Sequence, residues 1–342
     1  MSFVRLYFAM GLALVALLRP AAATAAGGPA YGVFLRLADG PAGSFASMVA
    51  AVPALVERAG MRVLARTEVE TGCRYQATVF AVESPAYTAQ VLAGGARNAF
   101  ALPLHLAVYE DERGVHLAMV DPRPLARTVV AESFEGPPAE VVAALERAVR
   151  EGFPGTPVSQ GYGQVRERGL IGKTMGVVAG GPFPGKVEEL GAVKASATRG
   201  PKEVADAIAA LGGTPTRRWG TRLVFRAELP GADAVLLGFT GGKVESKSFA
   251  IVAEGADESR RGLACPGVDH AAAYPFEVLV VREEGRVRVL AIDVMFRMKM
   301  YFEDAGAMKF AANMAMPGSI EDELRDLVEE ALEAAPATAA SR

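Results

Sequence analysis

The chain has 342 residues, more than one ordinary hydrophobic core accommodates, and this length suits two domains of roughly 130 to 150 residues each. Its 36 basic and 39 acidic side chains give a formal net charge of -3, so no excess of cations is present to neutralise the phosphates of a nucleic acid. Beyond the N-terminus, no apolar run reaches the ~20 residues of a membrane-spanning helix. We therefore expect a soluble protein of two domains that does not bind nucleic acid.

Residues 1–25 have the pattern of a secretory signal peptide. Arg5 supplies a positive charge, residues 6–18 form an apolar core, and the small residues at 23–25 predict cleavage after Ala25. The apolar core is too short to span a bilayer, and an uncleaved anchor is the alternative. The pattern predicts a periplasmic or secreted protein, to which ATP and nicotinamide cofactors are not available.

The first domain is predicted over residues 31–153. A β-rich run from Tyr31 is followed by apolar residues at helical spacing, which Ser44 can cap and Gly60 can end. Pro53 lies inside that helix and predicts a kink or a break. Four further runs predict an antiparallel meander, and Pro137 precedes a second amphipathic helix. The expected order is β-α-β-β-β-β-α.

Residues 154–185 are rich in glycine and proline and predict an interdomain linker, with one short strand near residues 176–178. A second domain follows over residues 186–334, and the tail at 335–342 is expected to be disordered. Pro201 opens its first helix, residues 221–239 predict an inserted hairpin, and residues 248–254 are matched to the strand at 77–83. Ser319 is the expected cap of its last helix.

An internal repeat fixes this organisation better than propensity does. Residues 102–121 return as residues 274–293 without a gap. The repeat pairs Pro103 with Pro275 and Asp121 with Asp293. It predicts two similar α+β domains.

The segment from Ala77 through the Val-Tyr-Glu-Asp turn at 108–111 and the Val-Asp-Pro ending at 120–122 resembles the family catalogued as domain of unknown function 302. This resemblance implies a TATA-binding-protein-like β-α-β4-α fold, an antiparallel sheet with helices on one face, present in two tandem copies of which the second is divergent. The family's two cysteines align with Glu83 and Leu104, so no thiol-dependent role carries over. The Asp-Pro ending becomes Asp293-Val294 in the second copy. The family has no settled activity to transfer.

Carboxylates are expected at one edge of each sheet, because the ends of neighbouring meander strands meet there. Glu83 and Asp121 fall at this edge in the first copy, and Glu254 and Asp293 in the second. Paired carboxylates could bind a cation or shift each other's pKa for acid-base work. In the alternative interpretation, each Asp caps the following turn and each Glu faces solvent.

His105, Tyr109 and His116 lie on the predicted hairpin of the first copy, and one register places all three on the same face. There they could hold a transition metal with one further ligand. The alternative is an ordinary sheet-face or dimer contact, because the second copy has Glu277, Val281 and Arg288 at these positions.

Six methionines crowd one segment of the second copy, namely Met295, Met298, Met300, Met308, Met314 and Met316. Thioethers suit Cu(I). Methionines also form adaptable surfaces for a protein partner, a membrane or another domain, and the aromatic residues interleaved with them favour that interpretation.

The only cysteines, Cys73 and Cys265, can form an interdomain disulfide in an oxidising compartment, or stay as two separate, partly buried thiols. Taken together, the sequence predicts an exported, non-catalytic binding or accessory protein that needs no cofactor. A soft-metal protein that binds Cu(I) is the first alternative, and a carboxylate-dependent enzyme is the second.

Overall fold

The computed structural model describes residues 31–166, 183–196, 198–212, 217–255, 262–302, 305 and 307–339. The predicted signal peptide and the predicted short strand near residues 176–178 lie outside this part of the chain. Both therefore stay predictions.

The first unit is built on a six-stranded sheet. Its elements are β1 (Tyr31–Gly40), α1 (Phe45–Arg58), β2 (Arg62–Val69), β3 (Ala77–Glu83), α2 (Pro85–Leu92), a 3-10 helix (Ala96–Ala101), β4 (Leu104–Asp111), β5 (Gly114–Val120), α3 (Pro122–Val129), α4 (Gly136–Arg150) and β6 (Thr156–Arg166). The strand order is β2-β3-β4-β5-β1-β6, and every neighbouring pair is antiparallel. The expected meander of four strands is present as β2 to β5.

The second unit is built on a five-stranded antiparallel sheet. Its elements are β7 (Val187–Lys194), α5 (Pro201–Leu211), β8 (Arg222–Glu228), β9 (Ala234–Thr240), α6 (Gly242–Gly255), a 3-10 helix (Val268–Ala273), β10 (Phe276–Glu283), β11 (Arg286–Ile292), α7 (Val294–Phe302), α8 (Ala307–Ala312) and α9 (Ala315–Ala339). The order β7-β11-β10-β9-β8 repeats the order β1-β5-β4-β3-β2 of the first sheet. The α+β class and the organisation into two sheet-helix units are confirmed.

The predicted strand at residues 248–254 is wrong, because these residues lie in helix α6. Val244, Ser248 and Val252 are buried at helical spacing, and a short apolar run does not distinguish a helix from a strand by itself. The true counterpart of β3 is β9, every residue of which is buried. The hairpin that we expected as an insertion is therefore the ordinary second and third strand of the second copy.

Strand β6 occupies the first part of the segment that we predicted to be a linker, and it pairs with β1. Its glycines serve a close approach of backbones rather than a flexible connection. A Cβ atom added at Gly161 of β6 would lie 3.1 Å from the backbone nitrogen of Gly32 in β1, and one added at Gly32 would lie 2.5 Å from the backbone nitrogen of Tyr162 in β6. Composition alone does not reveal this use of glycine.

Helix α1 is unbroken, and helix α9 begins and ends at other residues than we expected. Helix α1 continues through Pro53 without a break, because its buried face packs on β2, β4 and β5. Helix α9 begins at Ala315, so Ser319 lies inside the helix, where its hydroxyl accepts a hydrogen bond from the indole N–H of Trp219 at 3.0 Å. The same helix reaches Ala339, which is beyond the expected start of the disordered tail at 335.

The two units pack against each other through the sheet faces that their helices leave open. Helix α1 covers one face of the first sheet, and the 3-10 helix Val268–Ala273 of the second unit packs on β3, β4 and β5. In return, the 3-10 helix Ala96–Ala101 packs on β10. The central strands are therefore buried on both faces, and no residue of β3, β5 or β9 is exposed to solvent.

Covalent and polar links join the units as well. Cys73 and Cys265 form a disulfide bond. Arg97 donates two hydrogen bonds to the carboxylate of Glu283, at 2.9 and 2.7 Å. These links join the two units in addition to their packed faces.

Candidate functional site

The carboxylates predicted at the sheet edges do not form paired sites, because each has a separate partner. Arg62 donates to Glu83 through Nε at 2.6 Å. Asp121 is fully buried, accepts the backbone N–H of Arg123 at 3.0 Å and pairs with the guanidinium of Arg123 at 2.7 Å. Burial raises the pKa of Asp121 despite this cation. Asp121 is thus a helix cap and Glu83 one half of an ion pair.

The two carboxylates predicted at the sheet edge of the second copy, Asp293 and Glu254, belong to different elements of the structure. Asp293 accepts the backbone N–H of Phe296 at 2.6 Å and begins helix α7, as Asp121 begins α3. Glu254 lies on the exposed side of α6, where it pairs with Lys309 at 2.7 Å, and is not at the sheet edge. The edge position of Glu83 is taken in the second copy by Thr240, the last residue of β9.

Replacing Asp121 with alanine is expected to lower the free energy of unfolding by about 2 kcal/mol, because the helix cap and the carboxylate partner of Arg123 are both lost. Calcium should shift the unfolding midpoint of this variant no more than that of the wild type. Chemical denaturation with and without calcium measures both effects, and Glu254→Ala is the control, expected to unfold like the wild type. A calcium effect that disappears in the Asp121 variant would restore the cation-site interpretation.

The structure places His105, Tyr109 and His116 on the same face of the first sheet, where Tyr109 and His116 are direct cross-strand neighbours. His116 does not point toward an open metal site. Its Nδ1 lies 2.6 Å from Asp39 and its Nε2 3.0 Å from Asp111. Burial lowers the pKa of His116, but the hydrogen bonds to these two carboxylates outweigh it and raise the pKa above its ordinary value.

His105 instead faces the second unit. Its Nε2 lies 3.3 Å from the Oε1 of Glu277, and the two residues occupy equivalent positions in β4 and β10. Equivalent residues that meet in this way indicate a local twofold relation between the units. Burial, reinforced by the charge of Arg297, lowers the pKa of His105 to about 3. Burial also raises the pKa of Glu277 to about 7, although Arg297 opposes the shift. The pair is therefore uncharged in weakly acidic solution.

Behind Glu277, the second unit contains a small cavity of about 30 Å³. The cavity lies between β10 and β11 on one side and α6, α7 and α9 on the other. Its walls are mainly apolar, and its polar lining residues are Ser248, Tyr274, Glu277 and Arg297. This space is enough for about two water molecules. It combines apolar walls with a few convergent polar groups, as small-molecule sites do.

Arg297 is the unusual member of this lining. It is only 7% exposed, and its Nη2 donates to the backbone carbonyls of Ala273 and, at 3.0 Å, of Pro275. Its guanidinium lies 5.0 Å from the ring centroid of Tyr301. Its Nε has no acceptor among the residues that the structure describes. A buried cation with an unused donor therefore borders the cavity.

Sequence reasoning did not select Arg297 or Tyr274 as site residues, and it noted Glu277 only as the counterpart of His105. A signal was nevertheless present. Glu277 stands in a strand whose neighbours are almost all apolar, and Arg297 stands in a helix of methionine and aromatic residues. A charged residue within an apolar segment that is buried on both sides needs a partner or a ligand.

The pKa of Glu277 predicts a pH dependence of stability. An unfolded glutamate ionises near pH 4.5 and Glu277 near pH 7, so the folded state holds the proton more firmly over this range. The free energy of unfolding of the wild type should therefore fall, relative to Glu277→Gln, by up to about 3 kcal/mol between pH 4.5 and pH 8. Urea denaturation at these two pH values measures the change. A difference between the two proteins that stays constant with pH would contradict the buried, protonated carboxyl.

The methionine segment is divided between the core and the surface. Met298, Met300 and Met316 are buried and Met295 is half-buried, whereas Met308 is 87% exposed and Met314 46% exposed. Phe296, Tyr301 and Phe302 are also buried. Among these methionines, Met298 and Met316 line the cavity. A docking surface built on this segment would be limited to Met308 and Met314 among the described side chains.

Two further spaces lie next to residues discussed above, one beside the predicted site residue Glu83 and one beside Cys73 of the disulfide bond. A cavity of about 20 Å³ lies between the units, next to Glu83 and Pro103, and is otherwise mostly apolar. A wider groove of about 220 Å³ runs along residues 68–78 beside Cys73 and is largely polar. Neither is lined by a buried cation.

His270, which received no role from the sequence, is fully buried in the interface between the units. Its ring lies 5.0 Å from that of Phe34 and 5.5 Å from that of Phe302, and its Nδ1 is 2.6 Å from Asp269. His270 therefore belongs to the packing between the units.

Within the described part of the chain, no group of three or more His, Cys, Asp or Glu side chains is arranged to hold a metal ion. The helices in this part of the chain include none that is both long and apolar enough to cross a membrane.

The described part of the chain thus contains two α+β units with the same order of five strands. Residues 41–152 match the model of a family described as domain of unknown function DUF302. The first unit, from α1 through α4, therefore carries a DUF302 domain, and the predicted resemblance is confirmed there.

The crystal structure of an uncharacterized conserved protein DUF302 from Bacillus stearothermophilus is similar to this chain, with 18% sequence identity and a TM-score of 0.29. The similarity covers 35% of this chain and 97% of that protein. No curated protein matches the chain.

Proposed function

We propose that this is an exported, non-catalytic binding protein of two duplicated domains, which holds a small ligand in the cavity of its second unit. The observation that carries the proposal is the cavity itself, with its apolar walls, its buried cation and its carboxyl of raised pKa. Export rests on the signal-peptide pattern at residues 1–25. The second unit is proposed as a divergent copy of the first on the basis of their shared strand order.

The two units contribute differently to this function. The position of Arg297 corresponds to Leu125 in the first copy, and the position of Ala291 corresponds to Met119. The first copy thus has the large apolar residue Met119 at the position where the second copy has the small residue Ala291, which lines the cavity. In our proposal the first unit supports the second by covering β10 and by placing His105 against Glu277.

Native mass spectrometry of the protein purified from the cells that produce it tests this proposal. The wild type should carry a small molecule in addition to the mass of the chain. The variant Ala291→Met, which introduces the residue found at the equivalent position of the first copy, should lose that molecule because the larger side chain occupies the cavity. A ligand-free wild type, or a ligand that Ala291→Met retains, would contradict the proposal.

Copper binding is a second candidate, because Met298 and Met316 line the same cavity and thioethers suit Cu(I). The positive charge of Arg297 in the same wall disfavours a cation there, so this candidate ranks below the first. Competition for Cu(I) with a chromogenic chelator tests it. The double variant Met298→Leu/Met316→Leu should lose Cu(I) binding, and Met308→Leu/Met314→Leu, which changes exposed methionines, should keep it.

The geometry gives the carboxylate-dependent enzyme no comparable support. Glu83 and Asp121 are each neutralised by an arginine, Glu254 lies on a helix surface, and Asp293 caps a helix. We therefore do not propose a reaction for these residues.

A further inference from the structure

We infer that the second-unit cavity takes the carboxylate group of a small monocarboxylic acid, with Arg297 as its hydrogen-bond donor and the apolar walls in contact with its hydrocarbon chain. This inference rests on the proposed binding function and names the chemical class of the ligand.

The first observation that supports this inference is the Nε–H donor of Arg297, which has no acceptor among the described residues. A buried guanidinium whose Nε has no acceptor among the described residues has lost the hydration of that N–H without replacement. The two backbone carbonyls that accept from Nη2 carry no negative charge. A ligand oxygen within reach of Nε would satisfy the donor, and a carboxylate oxygen would also neutralise the cation.

The charge of the site decides between anions and cations. The groups that face the Glu277 carboxyl are His105 from β4, Arg297 and Tyr301 from α7, and Tyr274 just before β10. Burial keeps His105 uncharged and both phenols protonated, because it lowers the pKa of His105 to about 3 and raises the pKa of each tyrosine. With Glu277 protonated, the net charge of the site is that of Arg297, so a monoanion fits and a cation does not.

The volume and the apolar walls of the cavity further restrict the chemical class of the ligand. Sulfate would carry more charge than one arginine neutralises, and both sulfate and phosphate would leave polar oxygens against apolar walls. The volume of about 30 Å³, enough for about two water molecules, corresponds to the two oxygens of the carboxylate group. The hydrocarbon chain therefore requires Met298 and Met316 to change rotamer, which unbranched thioether side chains do readily.

The binding should depend on pH through Glu277. An ionised Glu277 repels a carboxylate, so affinity should fall as the pH rises through about 7. From pH 6 to pH 8 the affinity for the carboxylate is expected to fall about tenfold. In the Glu277→Gln variant the affinity should stay constant over this pH range.

Isothermal titration calorimetry of the full chain with acetate and butyrate tests the inference, with butanol and butylamine as matched probes without a carboxylate. We expect butyrate to bind, and Arg297→Met to weaken it by about 30-fold or more. Arg297→Lys, which keeps the charge and the buried stem, should lose about tenfold and serves if the methionine variant fails to fold. Arg288→Met is the control and should bind as the wild type does, because Arg288 pairs with Glu189 and Glu284 and does not line the cavity.

The outcomes separate this inference from the proposed function. Butanol or butylamine binding as tightly as butyrate, or butyrate binding that Arg297→Met and Arg297→Lys leave unchanged, would overturn the carboxylate class and leave a small-molecule site in place. Absence of binding by every probe would overturn the inference. The proposed function would then be contradicted only if native mass spectrometry also found no molecule that the wild type carries and the Ala291→Met variant lacks.

Discussion

Replacing Cys73 and Cys265 together with serine is expected to lower the free energy of unfolding by about 4 kcal/mol. The bond closes a loop of 192 residues, and a long closed loop restricts the unfolded chain strongly. It also joins the β2–β3 connection of the first unit to the segment before the 3-10 helix of the second. Loss of the bond should therefore weaken the contact between the two units. It should also allow the unfolded chain more conformations.

Urea denaturation of the double serine variant and the oxidised wild type measures this effect. The wild type treated with a reductant is the control, and it should lose about as much stability as the variant. Equal stability of the oxidised protein and the double variant would show that the two units hold together without the bond.

Replacing Phe34 with alanine is expected to lower the free energy of unfolding by about 4 kcal/mol. Phe34 is fully buried in β1, with the rings of Tyr162, His270 and Tyr301 at 5.3, 5.0 and 6.3 Å. Two of these rings belong to the second unit. The cavity left by alanine would therefore open inside the packing between the units.

The single tryptophan, Trp219, makes the coupling between the units measurable, because it lies in the second unit and Phe34 lies in the first. If the units form one body, Phe34→Ala should shift the transition seen by Trp219 fluorescence as far as the one seen by circular dichroism. Phe34→Leu is the control and should lose much less. A fluorescence transition that stays in place while the circular dichroism transition moves would show that the units unfold independently.

The internal repeat made much of the fold predictable. Because residues 102–121 and 274–293 are related by one constant offset, the hairpins β4–β5 and β10–β11 were placed correctly in both copies. Their alternation also predicted that His105, Tyr109 and His116 share one face. Where the copies diverge, the prediction had only local pattern, and residues 248–254 were assigned to a strand although they form a helix. Glycines in β6 were interpreted as a linker because close backbone pairing leaves no sign in composition.

The site was less predictable for a physical reason. Glu83, Asp121 and Asp293 are the residue types that bind cations, but their partners, Arg62 and Arg123 or a backbone N–H, become evident only when the chain is folded. The cavity depends on α6, α7 and α9 closing over β10 and β11, and on a small residue at Ala291. Neither a motif nor a spacing records such a space, which arises from the packing of five separate elements.

A crystal structure of the protein purified from the cells that produce it, without added carboxylates, would show whether the second-unit cavity holds a small ligand. We expect electron density for a molecule other than water in the cavity, with an oxygen within hydrogen-bonding distance of Arg297 Nε. A cavity that contains only water would contradict the proposed binding of a small ligand.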